Sequence, residues 1–179
     1  PPRVVLMPHR FGPLGRGGVE SWAAILAAAL ARRGCQVLVL SRDDRPGLPL
    51  PPFSLVEGPP AGHPRAELPE GVRQAWIVHR HGVGRTFDES WRDRRFEAPL
   101  RAAFGRFEPD LVHVGHPDGW GVVPFRLGEA LGLPVGATIH DWTWICARGQ
   151  LLRPPGLVCA GALEERCVRC VGDQLGRGP

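Results

Sequence analysis

Short apolar runs alternate along this chain with stretches in which apolar residues recur every three or four positions. The run Gln36–Leu40 is apolar at every position after its first, which is typical of a strand covered on both faces. Five such runs predict strands: Arg3–Met7, Gln36–Leu40, Gln74–Val78, Asp110–Val114 and Pro134–Ile139. Because strands that alternate with helices form a parallel sheet, we expect an α/β, Rossmann-like fold that is doubly wound.

The segments between these strands predict helical regions. The first covers Val19–Leu30, and Gly34 stands where glycine commonly ends a helix. The second lies between Phe87 and Phe107 as a helix or a pair of helices, and a short third helix lies near Val122–Leu131. The Pro- and Gly-rich stretch Arg45–Gly71 has no clear period and predicts a long surface connection.

The alternation stops after residue 141. The rest of the chain is rich in Gly, Pro, Arg and Cys, and it predicts no helix of substantial length. We therefore interpret residues 1–141 as a Rossmann-like domain and residues 142–179 as a cysteine-rich segment of the same domain. A length of 179 residues is enough for one core.

Composition narrows the class of protein. Hydrophobic residues make up 43% of the chain and charged residues 22%, which excludes a disordered or fibrous protein. No apolar run approaches the ~20 residues of a membrane-spanning helix. The first residues show no charged region followed by a hydrophobic core, so we expect a cytoplasmic protein, with a signal removed earlier left open.

The net charge of +4 does not indicate a nucleic-acid partner. All 22 basic residues are Arg, while Lys, Asn and Tyr are absent. This bias is typical of a GC-rich genome, and we expect a bacterial source. The Arg residues are interleaved with acidic residues, as over residues 89–97, which is typical of a solvated helix face.

Most histidines stand at the carboxyl ends of the predicted strands. Five of the seven directly follow a strand: His9, His79, His81, His116 and His140. The other two are His63 and His113. Ligands of open parallel sheets bind at this edge, so we expect at least two of the five to line a functional cleft, with polar turns as the alternative.

The loop Gly12–Gly18 joins the first strand to the first helix. Its glycines let the backbone approach a ligand closely, and the N–H groups at the helix start favour an anion. No G-x-G-x-x-G fingerprint fits the loop, and a chain without Lys has no P-loop. An anion-binding loop and a flexible turn both stay open at this point.

Four of the five cysteines lie in the cysteine-rich segment: Cys146, Cys159, Cys167 and Cys170. The last two form a C-x-x-C knuckle, and four thiolates on a segment with little apolar content favour a structural zinc site. Disulfides, free thiols and an iron–sulfur cluster stay open as alternatives. Cys35 is interpreted as a small buried residue.

Three segments taken together resemble glycosyltransferase family 4. Gly17-Gly-Val-Glu20, ahead of a helix that ends in Arg-Arg-Gly-Cys-Gln-Val-Leu-Val-Leu, resembles the opening of the family. Glu108-Pro-Asp-Leu-Val-His-Val-Gly-His116 is similar to a second element. Thr138-Ile-His-Asp-Trp-Thr-Trp-Ile-Cys-Ala-Arg-Gly-Gln-Leu-Leu152, with the trailing cysteines, is similar to the HDYW..CPRGQLL variant of a subset of these enzymes. The resemblance covers nearly the whole chain.

The resemblance implies the N-terminal half of a GT-B fold, in which two Rossmann-like domains enclose the active site. In that family the N-terminal domain mainly holds the acceptor, and the C-terminal domain with its paired glutamates holds the nucleotide-sugar donor. We expect the donor domain to be missing from this chain. The implied reaction is retaining, hexosyltransferase-type transfer to a hydroxyl of a glycan, lipid or small molecule, with no metal required for the chemistry. Peripheral contact with a membrane stays open.

The resemblance also implies roles for individual residues. The residues expected at the donor diphosphate are Gly17, Gly18 and Glu20. The residues expected to be catalytic are His116, His140 and Asp141. The residues expected to line the acceptor side of the cleft are His113, Trp144 and Arg148.

One position departs from the family pattern. His113 matches the first His of an H-x-H element, but the second position is Gly115 in this chain, and His116 comes one residue late. A strand histidine that is satisfied within the sheet is the alternative interpretation of His113.

Two other functions stay open on the sequence. A Rossmann-like nucleotide-binding or oxidoreductase domain is favoured by Asp43 and Asp44 near the end of the second strand, but the glycine fingerprint fails. A zinc-containing interaction module is favoured by the Arg residues around the cysteines, which Glu164, Glu165 and Asp173 offset.

Overall fold

The computed structural model describes residues 1–11, 17–43, 50–58, 68–79, 91–146, 148–153, 156–161 and 164–174. The chain divides into two compact units, Pro1–Thr138 and Ile139–Pro179. This division lies close to the boundary predicted at residue 141. That both parts belong to one domain stays a prediction.

The first unit is built on a six-stranded sheet. In chain order its strands are β1 (Arg3–Met7), β2 (Gln36–Asp43), β3 (Leu55–Glu57), β4 (Val72–Val78), β5 (Leu111–Val114) and β6 (Val135–Ala137). The spatial order is β3-β4-β2-β1-β5-β6, and the pairings are parallel except that of β3 with β4. The five predicted strands and the Rossmann-like α/β class are confirmed.

The edge strand β3 lies in the stretch that the sequence assigns to a surface connection. It has three residues, which is too few for an alternating pattern, and none of them is buried. It joins the sheet by antiparallel pairing with β4, in which Val56 lies opposite Trp76. Such pairing depends on the neighbouring strand more than on local sequence, so the sequence gives no signal for β3.

The helices of the first unit include α1 (Gly18–Arg32), α2 (Glu97–Phe107) and α3 (Val123–Leu131). Gly34 follows α1 with a φ of 83°, the left-handed conformation that glycine adopts without strain at a helix end. Ala23 and Ala27 of α1 are 0% and 2% exposed and share one core cluster with Val37 and Val39 of β2. Their small side chains let the helix lie close to the sheet.

The direction of winding reverses between β1 and β5, which are neighbours in the sheet. From β1 the chain continues through α1 to β2 on one side, and from β5 it continues through α3 to β6 on the other. Such a reversal opens a crevice at the carboxyl ends of the two strands, where ligands of α/β sheets bind. Met7 lies opposite Val114, so the residues after β1 and β5 meet at this edge. We call it the switch-point crevice.

The second unit contains a 3₁₀ turn (Trp142–Trp144), a hairpin of β7 (Leu152–Arg153) and β8 (Leu157–Val158), and helix α4 (Glu164–Gln174). Helix α4 corrects the expectation that no substantial helix follows residue 142. Its sequence EERCVRCVGDQ is mostly polar, and its few apolar residues lie within little more than one turn, so the periodic pattern is too short to predict a helix. Within the described residues of either unit, no helix is long and apolar enough to span a bilayer.

Candidate functional site

Two histidines meet in the switch-point crevice. His9 follows β1 and His116 follows β5, and their ring centroids are 4.9 Å apart. His116 is only 8% exposed, so it is a buried polar side chain. The structure thus brings together two of the five strand-end histidines, although they lie far apart in the chain.

Glu20 holds the ring of His9. The Nε2 atom of His9 lies 3.3 Å from Oε1 of Glu20, whose side chain is 7% exposed in the first turn of α1. Because a carboxylate only accepts hydrogen bonds, Nε2 is the donor and Nδ1 keeps its lone pair. In the described part of the chain, this buried Nδ1 atom and Oε2 of Glu20 have no hydrogen-bond partner. The first turn of α1 therefore forms one wall of the crevice.

Burial is the main reason why the pKa of His9 lies below its ordinary value of about 6.5. The charge of Glu20 acts in the opposite direction, as does that of Asp118, while His116 and Arg42 add to the lowering. The net pKa is lowered, so His9 is a neutral imidazole at neutral pH.

Acidification is expected to destabilise the first unit through His9. Between pH 6.5 and the lower pKa of His9 in the folded chain, His9 is protonated in the unfolded chain and neutral in the folded one. The free energy of unfolding therefore falls as the pH falls through that window. Urea unfolding between about pH 7 and pH 5 measures this loss. The variant His9→Gln cannot bind the proton and is expected to show a shallower pH dependence. Equal slopes in the two proteins would contradict the lowered pKa.

The buried guanidinium of Arg42 holds the turn that follows β5. Arg42 is 2% exposed, and its Nη2 atom lies 3.4 Å from Oδ2 of Asp118. The backbone N–H of Asp118 in turn donates to Nδ1 of His116 at 3.1 Å, which fixes that ring. The sequence does not predict Arg42 or Asp118 as site residues. The apolar run that predicts β2 ends at Leu40, whereas the strand itself continues through three buried polar residues.

His79 directly follows β4, as predicted, but it belongs to the core. It is 2% exposed, its ring centroid lies 5.6 Å from that of Phe53 and 5.2 Å from that of Phe96, and its Nδ1 atom lies 3.5 Å from Arg42. His63, His81 and Asp44 lie outside the described residues.

The two glycines at the start of α1 differ in the space around them. Gly17 is the N-cap residue, and a Cβ atom added there would lie 2.5 Å from Oε2 of Glu20. Gly18 is exposed, and a Cβ atom added there would meet nothing within 4 Å. The earlier part of the predicted loop, residues 12–16, lies outside the described residues. Gly18 thus leaves room for a ligand against the backbone.

His113 makes its side-chain contacts with residues outside β5. Its Nε2 atom lies 2.8 Å from Oγ1 of Thr138, and its ring centroid lies 5.5 Å from that of Trp22. A Cβ atom at Gly115 would lie 2.5 Å from Cζ3 of Trp22. The departure from H-x-H at this position therefore has a physical reason, because the Trp22 ring fills the space that a side chain would need.

The remaining predicted site residues lie in the second unit. Oδ1 of Asp141 accepts a hydrogen bond from the N–H of Thr143 at 2.9 Å and so caps the 3₁₀ turn. His140 is exposed, whereas Trp144 and Arg148 are half-buried. The catalytic roles expected for His140 and Asp141, and the acceptor-side roles of Trp144 and Arg148, stay predictions.

The cysteines of the second unit converge without forming a metal cluster. All four line one cavity of about 50 Å³: Cys146, Cys159, Cys167 and Cys170. Among the described residues, no three His, Cys, Asp or Glu side chains are close enough to hold a metal ion, and the five cysteines are free thiols. The zinc expected from the sequence therefore has no preformed cluster and stays a prediction.

The thiol of Cys146 differs from an ordinary cysteine. Partial burial raises its pKa, but hydrogen bonds from the backbone N–H groups of Arg148, Leu151, Gln150 and Gly149 outweigh burial. The net pKa is lowered from the ordinary value, because these N–H groups stabilise the thiolate.

The family model described as Glycosyltransferase Family 4 matches residues 16–158, which is most of the chain. The chain belongs to glycosyltransferase family 4. The matched range begins just before α1 and includes Glu20, Arg42 and His116 of the crevice. The resemblance in the sequence is therefore confirmed at the level of the family.

The fold of the chain is similar to that of sucrose-phosphate synthase from Thermosynechococcus elongatus. The match has a TM-score of 0.53 at 18% identity, and it covers 79% of this chain and 33% of the synthase chain. At this identity the likeness shows the fold alone, and the chain spans about a third of the synthase's length. No curated protein matches the chain.

Proposed function

We propose that this chain is the acceptor-side domain of a retaining glycosyltransferase. The enzyme transfers a hexose-type sugar from a nucleotide-sugar to a hydroxyl of a glycan, lipid or small molecule. The observation that carries this proposal is the switch-point crevice, where α1 begins beside the pair His9 and His116. Membership of the family supplies the class of reaction. A second domain of the same protein supplies the donor side, as the resemblance implies.

The start of α1 suits a diphosphate leaving group. The first N–H groups of a helix have no partners within it, and the helix dipole adds partial positive charge. The open space at Gly18 lets an anion approach these groups. Stabilising the charge that develops on the diphosphate is the main electrostatic task in this reaction.

Glu20 suits a different task from the one that the resemblance implies. A buried carboxylate repels an anionic diphosphate, whereas its contact with His9 is already made. We therefore assign Glu20 to the orientation of His9. We assign the diphosphate contacts to the backbone at Gly18, because the Glu20 carboxylate lies against Gly17.

The imidazoles of the crevice suit hydroxyl groups. Neutral His9 lies beside His116, whose Nδ1 accepts a hydrogen bond from the backbone N–H of Asp118. Hydrogen bonds of this kind place reacting groups close together, which is a large part of catalysis in transfer reactions. We assign His116 to the transferred sugar and His140 with Asp141 to the acceptor. In this proposal no metal takes part in the transfer, and the zinc of the second unit is a separate proposal.

Sugar transfer by the full-length protein tests this function. We expect release of nucleoside diphosphate from one of a panel of UDP-, GDP- and dTDP-sugars in the presence of a hydroxyl acceptor, with the anomeric configuration retained. We expect no transfer by the 179-residue chain alone, because catalysis in a two-domain cleft needs both walls. Transfer by this chain alone would refute the proposed division between domains. Saturable NADH binding without transfer by the full-length protein would favour an oxidoreductase instead.

A further inference from the structure

The described part of the second unit shows no hydrophobic core. None of its described side chains is buried, and Ile145, Leu157 and Val158 are more than half exposed. A unit of about 40 residues rarely folds on apolar packing alone and commonly needs disulfides, a metal or a partner. No disulfide joins its cysteines. Of these three, a metal or a partner is left to stabilise the unit.

Three elements bring four sulfur atoms to one cavity. Cys146 follows the 3₁₀ turn, and Cys159 follows β8, where its N–H donates to the carbonyl of Leu151 at 2.7 Å. Cys167 and Cys170 lie three residues apart on α4 and so share one face of the helix. The same cavity of about 50 Å³ is lined by all four cysteines. A turn, a hairpin and a helix thus gather residues that are spread over the unit.

Three of the seven other residues of this cavity carry positive charge: Arg148, Arg153 and Arg166. The other four, Ile145, Leu151, Leu152 and Gly161, are uncharged. A zinc ion with four thiolates carries two net negative charges, which nearby guanidinium groups offset.

The turns beside the first two cysteines are closed by backbone hydrogen bonds. The N–H of Gly149 donates to the carbonyl of Cys146 at 2.8 Å. The Sγ atom of Cys159 donates to the carbonyl of Gly161 at 3.2 Å, and metal binding displaces that proton.

We propose that Cys146, Cys159, Cys167 and Cys170 bind one zinc ion as a structural site. This inference goes beyond the proposed function and does not depend on it. Four thiolates leave no open position for water, so the ion orders the second unit and takes no part in chemistry. Among the described residues, no three of the side chains that bind metals are close enough to hold an ion. Zinc binding therefore draws the four sulfur atoms together, and it is coupled to folding of the unit.

Elemental analysis of the 179-residue chain, purified under reducing conditions without chelator, tests the site. We expect about one zinc per chain. Replacement by cobalt(II) is expected to give the absorption spectrum of tetrahedral thiolate coordination. The variant Cys167→Ser is expected to lose the zinc and to make the second unit sensitive to protease. The matched control is Cys35→Ser, which changes a free thiol in the first unit and is expected to keep the zinc.

A result that contradicts the proposal also indicates which alternative state the cysteines adopt. Less than about 0.2 zinc per chain overturns the proposal, because purification without chelator does not remove zinc from a site of four thiolates. Low zinc without free thiols indicates disulfides, and iron with visible absorption indicates an iron–sulfur cluster. Loss of zinc from Cys35→Ser as well would show that the metal is not held by these four residues. If Cys167→Ser does not fold, the zinc content and the cobalt spectrum of the unaltered chain decide whether the site exists.

Discussion

Replacing Gly18 with valine is expected to lower the turnover of the full-length enzyme about a hundredfold, the loss typical when one group that stabilises developing charge is removed. The valine side chain would cover the first N–H groups of α1 and keep the diphosphate away from the backbone. Stability is expected to change little, because a Cβ atom at this exposed position meets nothing within 4 Å. Turnover is measured with saturating donor and acceptor, and stability by urea unfolding.

The matched control for this variant is Gly105→Val. Gly105 is an exposed residue of α2, and a Cβ atom added there also meets nothing within 4 Å. Both variants place a valine on an open helix surface, but only Gly18 lies at the crevice. We expect full turnover from Gly105→Val. Equal turnover in both variants would show that the glycine loop is only a turn.

Replacing Gly119 with alanine is expected to lower the free energy of unfolding by about 3 kcal/mol or more. Gly119 has a φ of 74°, a conformation that alanine adopts only with strain. A Cβ atom there would also overlap the guanidinium of Arg42, which is 2% exposed and held by Asp118. Because Arg42 has little space to move, the strain and the overlap add. Urea unfolding of the 179-residue chain measures the loss.

The matched control separates these two contributions. Gly132, which ends α3, has a similar φ of 66°, but a Cβ atom added there meets nothing within 4 Å. Gly132→Ala therefore carries only the backbone strain, about 1 to 2 kcal/mol. Equal losses in the two variants would mean that Arg42 moves aside and does not anchor the turn after β5.

The strands β1, β2 and β4 are predictable from the sequence because they are covered on both faces. Val37 to Leu40 are all buried, and a continuous apolar run is the signal that such burial produces. The edge strands β3 and β6 both lack buried residues, but β6 belongs to the predicted run Pro134–Ile139, whereas β3 has only three residues in a Pro- and Gly-rich stretch. Because β3 has no such run and α4 is a mostly polar helix, neither could be recognised from its own residues.

The candidate site is predictable only in part, because its contacts come from the topology. The sequence places His9 and His116 at strand ends, but their contact exists because β1 and β5 are neighbours in the sheet. Arg42 belongs to a strand whose polar end carries no periodic signal, so its part in holding the crevice appears only in the structure. The space filled by Trp22 beside Gly115 likewise depends on how α1 packs.

Amide hydrogen exchange of the full-length protein tests most directly whether the switch-point crevice is the substrate site. The exchange is measured with and without the nucleotide-sugar that supports transfer. We expect added protection in the segments 17–20 and 115–118, which flank His9, and no change in α2, which serves as the internal reference. Protection confined to other segments of this chain, with these two unchanged, would contradict the account.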